Sequence, residues 1–204
     1  MRAMKNIVIL ISGHGSNMES VVRAAQAEQW PERIAAVISN KADAPGLAFA
    51  RAHGIATVVV PSADFASRAE FDAALQQVID QFRPDLVVLA GFMRILTAPF
   101  VAHYAGRMLN IHPSLLPDFP GLYTHRQALA AGVAWHGASV HLVTAELDHG
   151  PLLGQAQVAV LAGDTEASLS ARVLEQEHLL YPRVIRAFLE ARSGVDSGSA
   201  AAPT

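Results

Sequence analysis

The chain has 204 residues, 51% of them hydrophobic, which is enough to bury one large α/β core without added cross-links. It has no cysteine, which excludes disulfides, thiolate nucleophiles and cysteine-ligated zinc. The formal net charge is −3 and lysine occurs only as Lys5 and Lys41, so we expect no binding to nucleic acid through its phosphates. The apolar runs are shorter than the ~20 residues that a membrane-spanning helix needs, so we expect no membrane partner.

The first half of the chain alternates apolar strands with amphipathic helices. Residues 5–11 are β-branched and apolar, as in a strand buried on both faces, and a glycine-rich stretch follows where a signal peptide would have its cleavage site. We therefore expect a cytoplasmic protein. The later elements predicted in this half are a helix at 17–30, a strand at 34–38, a helix at 45–54, a strand at 56–60, a helix at 67–82 and a strand at 85–90. Such alternation predicts right-handed crossovers and a parallel sheet.

The second half changes pattern. It predicts a short strand at 107–111, a short helix at 125–131, a late strand pair at 138–143 and 154–160, and a long amphipathic helix at 165–191. The late pair is expected to be antiparallel. We expect one domain over residues 1–192, followed by a small, polar, disordered tail at 193–204.

The stretch SGHGSN, residues 12–17, separates the first strand from the first helix. Exposed backbone N–H groups and the positive end of a helix make such a loop suited to a phosphate. It lacks the third glycine of the dinucleotide fingerprint and the lysine of a P-loop, so a single phosphate fits better than a pyrophosphate. The alternative is an ordinary turn in which Ser16 or Asn17 caps the helix.

The stretch LNIHPSLLP, residues 109–117, ends an apolar strand with an amide and an imidazole. Ligands collect at the carboxyl ends of strands in open α/β sheets. The Asn110 amide beside a protonated His112 would stabilise an oxyanion, because both groups donate hydrogen bonds to developing charge. The alternative is a structural histidine before a proline-rich turn.

The stretch TAELDHGPLL, residues 144–153, turns sharply after Asp148. A carboxylate near His112 would hold that histidine protonated, but the spacing leaves open whether they meet, and aspartate is common in turns. His136 and His141, five residues apart, are expected on opposite faces of a strand. Because the histidines lack the usual spacings of metal ligands, we expect no metal.

Six segments together resemble one family, the folate-dependent glycinamide ribonucleotide formyltransferases of purine biosynthesis. They are VILISGHGSN at 8–17, SNKADAPGL at 39–47, LAGFMRIL at 89–96, LNIHPSLLPDFPGLYTHRQAL at 109–129, HGASVHLVTAELDHGP at 136–151 and QEHLLYP at 176–182. The resemblance covers almost the whole chain. It implies a Rossmann-like formyltransferase fold with a mostly parallel mixed sheet flanked by helices, in which the N-terminal half binds the phosphoribosyl substrate and the C-terminal half binds the folate.

The resemblance also implies the residues of the site. The catalytic residues would be Asn110, His112 and Asp148. The residues that bind phosphoribosylglycinamide would be Gly15, Ser16, Asn17, Leu174, Glu175, Gln176 and Glu177. The folate-binding residues would be Arg68, Met93, Arg94, Ile95, Leu96, Asn110, Thr144, Ala145, Glu146, Leu147 and Asp148. Of the second group, Glu177 would contact the substrate directly.

The reaction implied is transfer of the formyl group of the co-substrate 10-formyltetrahydrofolate to the amine of N1-(5-phospho-D-ribosyl)glycinamide, without a metal. Two alternatives stay open: a formyltetrahydrofolate hydrolase, and a formyltransferase that acts on a different amine. The partners implied are small molecules, and the sequence leaves monomer and homodimer open.

Overall fold

The computed structural model describes residues 4–198, with side chains described for 4–192. Within these residues, one sheet has seven strands: β1 (Asn6–Ile11), β2 (Arg33–Ser39), β3 (Ala56–Val59), β4 (Leu86–Leu89), β5 (Met108–His112), β6 (Trp135–Leu142) and β7 (Leu152–Ala159). The helices are α1 (Ser16–Ala27), α2 (Gly46–Ala52), α3 (Arg68–Gln81), α4 (Ala98–His103), α5 (Thr124–Ala131) and α6 (Glu166–Gly198), with a short 3₁₀ turn at Ser62–Asp64.

The strands lie in the order β3-β2-β1-β4-β5-β6-β7. The pairs among β1 to β5 are parallel, whereas β6 pairs antiparallel with both β5 and β7. This mostly parallel mixed sheet with flanking helices confirms the predicted fold class, and the antiparallel late pair is also confirmed.

The central strand explains why the sheet is covered on both faces. In β1 the five residues from Ile7 to Ile11 are all fully buried, and they alternate between two separate apolar clusters. One cluster includes residues of α1 and α6, and the other includes residues of α3 and α4. A strand with an apolar layer on each face needs continuous hydrophobicity, which is the pattern in the sequence.

Besides shifts of one to three residues at other element ends, three features differ from the sequence prediction. Helix α4 was not expected; it has only six residues, and Pro99 stands in its first turn. Strand β6 begins at Trp135 rather than 138 and so includes Gly137. Glycine allows the close approach of β7 there, since a Cβ atom would lie 1.9 Å from the Ala156 carbonyl oxygen. Helix α6 extends to Gly198, so the expected boundary at residue 193 lies inside it; residues 199–204 of the expected tail lie outside the described residues.

Candidate active site

The boundary between β1 and β4 is where the strand order reverses, and ligands of open α/β sheets bind outside the carboxyl ends of strands at such a point. A cavity of about 240 Å³ lies there. Its lining combines the loop after β1 with the segment after β4: Ser12, Gly13, His14, Gly15, Ser16, Asn17, Lys41, Ala90, Gly91 and Met93. The predicted phosphate loop therefore lines a cavity at the expected edge of the sheet.

Gly15 occupies the N-cap position of α1 with a φ of 73°, in the left-handed region that glycine tolerates. Because it has no side chain, it leaves the first-turn N–H groups of the helix available to a ligand. The alternative in which Ser16 or Asn17 caps the helix is wrong, since both lie inside α1. The loop is also bonded to the start of α2, where the Gly46 N–H donates to the Gly13 carbonyl oxygen at 3.2 Å.

Asn17 connects this loop to the last helix. Its Nδ2 donates to Glu177 Oε2 at 2.6 Å, and both side chains are buried. Burial raises the pKa of Glu177, and the hydrogen bond from Asn17 opposes that rise. Within residues 4–192, Asn17 Oδ1 has no hydrogen-bond partner, so it is a buried acceptor beside the loop. The other predicted residues of this helix are less enclosed: Leu174 and Glu175 are exposed, and Gln176 is half-buried.

The predicted folate segment, residues 93–96, lies between β4 and α4 without regular secondary structure. Met93, Arg94 and Ile95 are exposed and Leu96 is half-buried. The Arg94 guanidinium lies 5.5 Å from the centre of the Phe71 ring on α3. Arg68, exposed at the start of the same helix, is one turn from Phe71. Two cations are thus presented near the start of α3, as an anionic tail of a ligand would require.

His112 is buried at the end of β5, with both ring nitrogens against acceptors. Its Nε2 lies 3.0 Å from the Phe119 carbonyl oxygen, and its Nδ1 lies 3.4 Å from Asp148 Oδ2. A carbonyl and a carboxylate can only accept hydrogen bonds, so the doubly protonated ring satisfies both and the neutral ring satisfies one. The geometry therefore suits a positively charged His112.

Asp148 is the centre of the network. Its Oδ2 also accepts the Gly121 N–H at 2.9 Å, and its Oδ1 lies 3.6 Å from His141 Nε2. Burial alone would raise the pKa of Asp148, but the contact with His141, the Gly121 N–H and the charge on His112 lower it on balance. Asp148 is therefore a carboxylate throughout the neutral pH range.

His141 enters the site unexpectedly. It stands directly opposite Asn110 in the β5–β6 pair, and its Nε2 lies 3.3 Å from Asn110 Nδ2. Its Nδ1 lies 2.9 Å from the Leu142 carbonyl oxygen, to which an Nδ1–H donates. His141 Nε2 therefore lies between the Asn110 amide and Asp148 Oδ1 and links the two.

The two residues that contact the nitrogens of His112 both have strained backbones. Phe119 has a φ of 54° and Asp148 a φ of 55°, values that non-glycine residues seldom adopt. Such strain concentrates at functional sites, where the surroundings hold it in place. The loop that contains Phe119 is fixed to the sheet by Ser139, whose hydroxyl donates to the Ser114 carbonyl oxygen and accepts the Leu116 N–H.

The predicted second folate wall, residues 144–148, follows β6. Thr144 to Leu147 are exposed, and only Asp148 of this segment is buried. Thr144 and Ala145 belong to the lining of a largely apolar cavity of about 380 Å³, together with Ala98, Val101, Ala102, Ala105, Gly106, Leu142, Val143 and Pro151. This turn requires glycine at position 150, because a Cβ atom there would lie 1.7 Å from the Leu142 carbonyl oxygen.

Two further histidines, His125 and His136, contact each other near the site. His125 Nδ1 is 3.1 Å from His136 Nε2, and the His136 ring packs against Phe119. Burial, followed by the charges of His125 and His112, lowers the pKa of His136 to about 4. In the described part of the chain, no three histidine, aspartate or glutamate side chains are grouped to hold a metal ion. Among residues 4–198, no helix has the length and apolar character to cross a membrane.

Sequence reasoning missed two contributors to the site, Lys41 and His141; Ser12 lay within the predicted phosphate loop, but its contacts were not predicted. Lys41 lies in the SNKADAPGL motif and lines the phosphate-loop cavity, so the motif offered a signal. His141 depends on strand register, which a sequence pattern does not specify across a long connection. It also follows an irregularity in the pairing of β6 with β7 between Val140 and His141.

Comparison with known proteins agrees with this geometry. The sequence profile described as "Formyl transferase" matches residues 5–185. The phosphoribosylglycinamide formyltransferase of Escherichia coli (strain K12) is 56% identical over 187 residues, covering 92% of this chain and 88% of that protein. The structure of the phosphoribosylglycinamide formyltransferase from Coxiella burnetii aligns with a TM-score of 0.87 at 49% identity, covering 93% of this chain and 89% of that chain.

A structure of another activity aligns almost as well. A formyltetrahydrofolate deformylase from Pseudomonas syringae pv. tomato has a TM-score of 0.86, but the identity is 30% and only 63% of that chain is covered. The fold therefore does not separate the two activities, but the relatives of high identity are phosphoribosylglycinamide formyltransferases. The chain belongs to the formyl transferase family and, within it, to the phosphoribosylglycinamide formyltransferases, which confirms the resemblance seen in the sequence.

Proposed function

We propose that this chain transfers the formyl group of 10-formyltetrahydrofolate to the amine of N1-(5-phospho-D-ribosyl)glycinamide, a step of de novo purine (IMP) biosynthesis. The products are N2-formyl-N1-(5-phospho-D-ribosyl)glycinamide and tetrahydrofolate. Glycinamide ribonucleotide formylation is the activity named for the high-identity relative. The donor and the roles of individual residues are the finer part of the proposal.

The observation that carries the proposal is the buried network at the end of β5. Asp148 lies between His112 and His141, and His141 contacts the Asn110 amide. The network joins two hydrogen-bond donors that suit an oxyanion to one carboxylate that favours the charged form of His112. It is flanked along the sheet edge by the phosphate loop and the two exposed folate segments.

In the proposed reaction, the glycinamide nitrogen attacks the formyl carbon, and a tetrahedral oxyanion forms. The Asn110 amide N–H and protonated His112 donate to that oxygen. Both ring nitrogens of His112 are engaged in the structure, and the contact with Asp148, at 3.4 Å, is the longer one. We therefore infer that the Nδ1–H turns from Asp148 to the oxyanion, while Asp148 continues to stabilise the charge of the ring.

Collapse of the intermediate breaks the bond between the formyl carbon and N10 of the folate. The attacking nitrogen loses a proton and N10 gains one, so the step is balanced without an added acid or base. His112 or a water molecule carries this proton. No metal enters the reaction, and we propose that it takes place in the cytoplasm on small-molecule substrates.

The substrates are assigned to opposite parts of the site. We propose that the N–H groups of Gly15, Ser16 and Asn17 bind the phosphate, and that Glu177 and the other residues at 174–176 bind the rest of the ribonucleotide. The folate would lie between residues 93–96 and 144–148, with Arg68 and Arg94 near its anionic glutamate end. The free Asn17 Oδ1 and the exposure of both folate segments support these positions.

An absorbance assay tests the proposal. Purified chain is mixed with 10-formyltetrahydrofolate, with or without the glycinamide ribonucleotide, and His112→Ala and His149→Ala are assayed beside it. His149 is exposed and contacts its own turn, so it is the matched control. We expect folate turnover only with the ribonucleotide, near-complete loss in His112→Ala and full activity in His149→Ala.

Other outcomes would replace the proposal. Folate turnover without the ribonucleotide would indicate a hydrolase. Binding of the folate without turnover on the ribonucleotide would indicate a different amine acceptor. Full activity in His112→Ala would contradict the assigned catalytic centre.

A further inference from the structure

Ser12 bonds to the segments on both sides of the β1–β4 boundary. It is 5% exposed and is the first residue of the phosphate loop. Its Oγ accepts the Met93 N–H at 2.8 Å and donates to Asn40 Oδ1 at 2.5 Å. Its own N–H donates to the Gly91 carbonyl oxygen at 3.2 Å. The first residue of the phosphate side is thus bonded to Met93, the first residue of the folate segment, and to Gly91, two residues before it.

These bonds have a consequence for the folate segment. The Met93 N–H is taken by Ser12, so it is not free to donate to a ligand. The segment is held at its other end by Asp72, whose Oδ2 accepts the Thr97 N–H at 2.6 Å. Between these anchors, Met93, Arg94 and Ile95 are exposed and lie outside helices and strands.

The middle of the segment is exposed and is held only through its two ends. A ribonucleotide bound to the phosphate loop would restrain Ser12 further, and with it the position of Met93. The folate then binds a segment that has lost part of its freedom, which lowers the entropic cost of the second binding step. By linkage, the folate must favour the ribonucleotide by the same factor.

We propose that Ser12 is a positioning residue that couples the two substrates, so that each binds more tightly when the other is present. The proposal rests on the proposed function, because it takes residues 15–17 as the ribonucleotide side and residues 93–96 as the folate side. Asn40 fixes the direction of the Ser12 hydroxyl, since it takes the proton and leaves a lone pair for Met93.

The coupling is measured by calorimetric titration of the full chain with tetrahydrofolate, alone and in saturating glycinamide ribonucleotide. Because no formyl donor is present, no turnover occurs. The ratio of the two dissociation constants is the coupling factor. We expect at least about fivefold for the unaltered chain, the lower end of the usual range for coupled sites. We expect a factor below about two for Ser12→Ala.

Two further variants make the test specific. Ser12→Cys keeps nearly the same volume but replaces oxygen with a weak acceptor, so its coupling factor should also fall, and it decides the question if Ser12→Ala does not fold. Ser39→Ala removes another buried hydroxyl, at the end of the neighbouring strand β2. That hydroxyl accepts the Lys41 N–H at 3.0 Å and belongs to neither segment. Ser39→Ala should keep the coupling factor of the unaltered chain.

A coupling factor near one in the unaltered chain would overturn the proposal, as would an undiminished factor in Ser12→Ala or Ser12→Cys. An equal loss in Ser39→Ala would also overturn it, because the effect would then follow from any buried hydroxyl at this edge. Binding of both ligands without coupling overturns this inference alone, whereas absence of binding to either ligand overturns the proposed function and this inference with it.

Discussion

The two sides of the site are built in different ways. The proposed phosphate side is one continuous stretch, residues 12–17, whose proposed donors are main-chain N–H groups at the start of α1. The proposed catalytic side is assembled from side chains of β5, β6 and the turn after β6, with a carbonyl and an N–H supplied by residues 119 and 121. One side depends on local backbone geometry, and the other depends on contacts between distant segments.

The difference follows from what each side must bind. A phosphate carries the same charge before, during and after the reaction, so fixed backbone dipoles are sufficient. An oxyanion exists only near the transition state, and groups that stabilise it must be held in place in a buried, polarised setting. Mutations on the phosphate side should therefore change substrate binding, and mutations on the catalytic side should change kcat.

The largest effect is expected for Asn110→Ala. Removal of one oxyanion donor typically costs about 2.7–4 kcal/mol of transition-state stabilisation, so kcat should fall by about 10²–10³-fold while both KM values change little. Steady-state kinetics at saturating substrates measure this. Asn6→Ala is the matched control. The Asn6 side chain, at the start of β1, donates to the Phe82 carbonyl oxygen, and its removal should leave kcat unchanged. An Asn110→Ala variant with full kcat would contradict the assignment.

A smaller effect, on binding, is expected for Gly15→Ala. The added Cβ would stand at a φ of 73° and 3.1 Å from Met18 Cε, so either the Met18 side chain or the loop must give way. Left-handed backbone costs a non-glycine residue roughly 1–2 kcal/mol, so KM for the ribonucleotide should rise about tenfold with little change in KM for the folate. Gly132→Ala has the same strain at the end of α5, away from the site, and should change neither KM.

A third effect concerns stability rather than activity. The pKa of His136 is lowered to about 4 in the folded chain, below the ordinary value of 6.5. Between pH 4 and pH 6.5, the unfolded chain binds more protons at this position than the folded chain does. The contribution of neutral His136 to the free energy of unfolding is therefore fully present above pH 6.5 and is lost progressively as the pH falls to about 4. The loss should amount to at most about 3 kcal/mol.

Urea denaturation from pH 7 to pH 4 measures this dependence. The slope should be smaller in His136→Gln, whereas replacement of the exposed His149 by glutamine should keep it. An unchanged slope in His136→Gln would show that His136 does not carry the proton uptake.

How much of this the sequence predicted depends on the range of the interactions. The β1–α1 loop and the central parallel strands have local signals, namely glycine in a βα turn and unbroken β-branched runs, and they were predicted within a few residues. Asn110, His112 and Asp148 could be named from their motifs, and the structure places His112 in contact with Asp148.

The contacts of His141 and Ser12 could not be predicted. Each depends on a partner 31 or more residues away, Asn110 for His141 and Met93 for Ser12, and on the register or loop shape between them. Helix α4 was missed because of its length. Six residues with a proline in the first turn are too few to show the helical period of hydrophobic residues.

The central claim is that the catalytic side acts as one network while the phosphate side acts separately. A double-mutant cycle on kcat/KM, with His112→Ala, Asp148→Asn and the double variant, tests it directly; His112→Ala with Gly15→Ala is the comparison cycle. The account predicts that kcat/KM of the first double variant is less than about tenfold below that of His112→Ala alone, because the effects of residues in one catalytic unit are not additive. In the comparison cycle, it predicts that the two losses in kcat/KM multiply. Multiplying losses in the first cycle would contradict it.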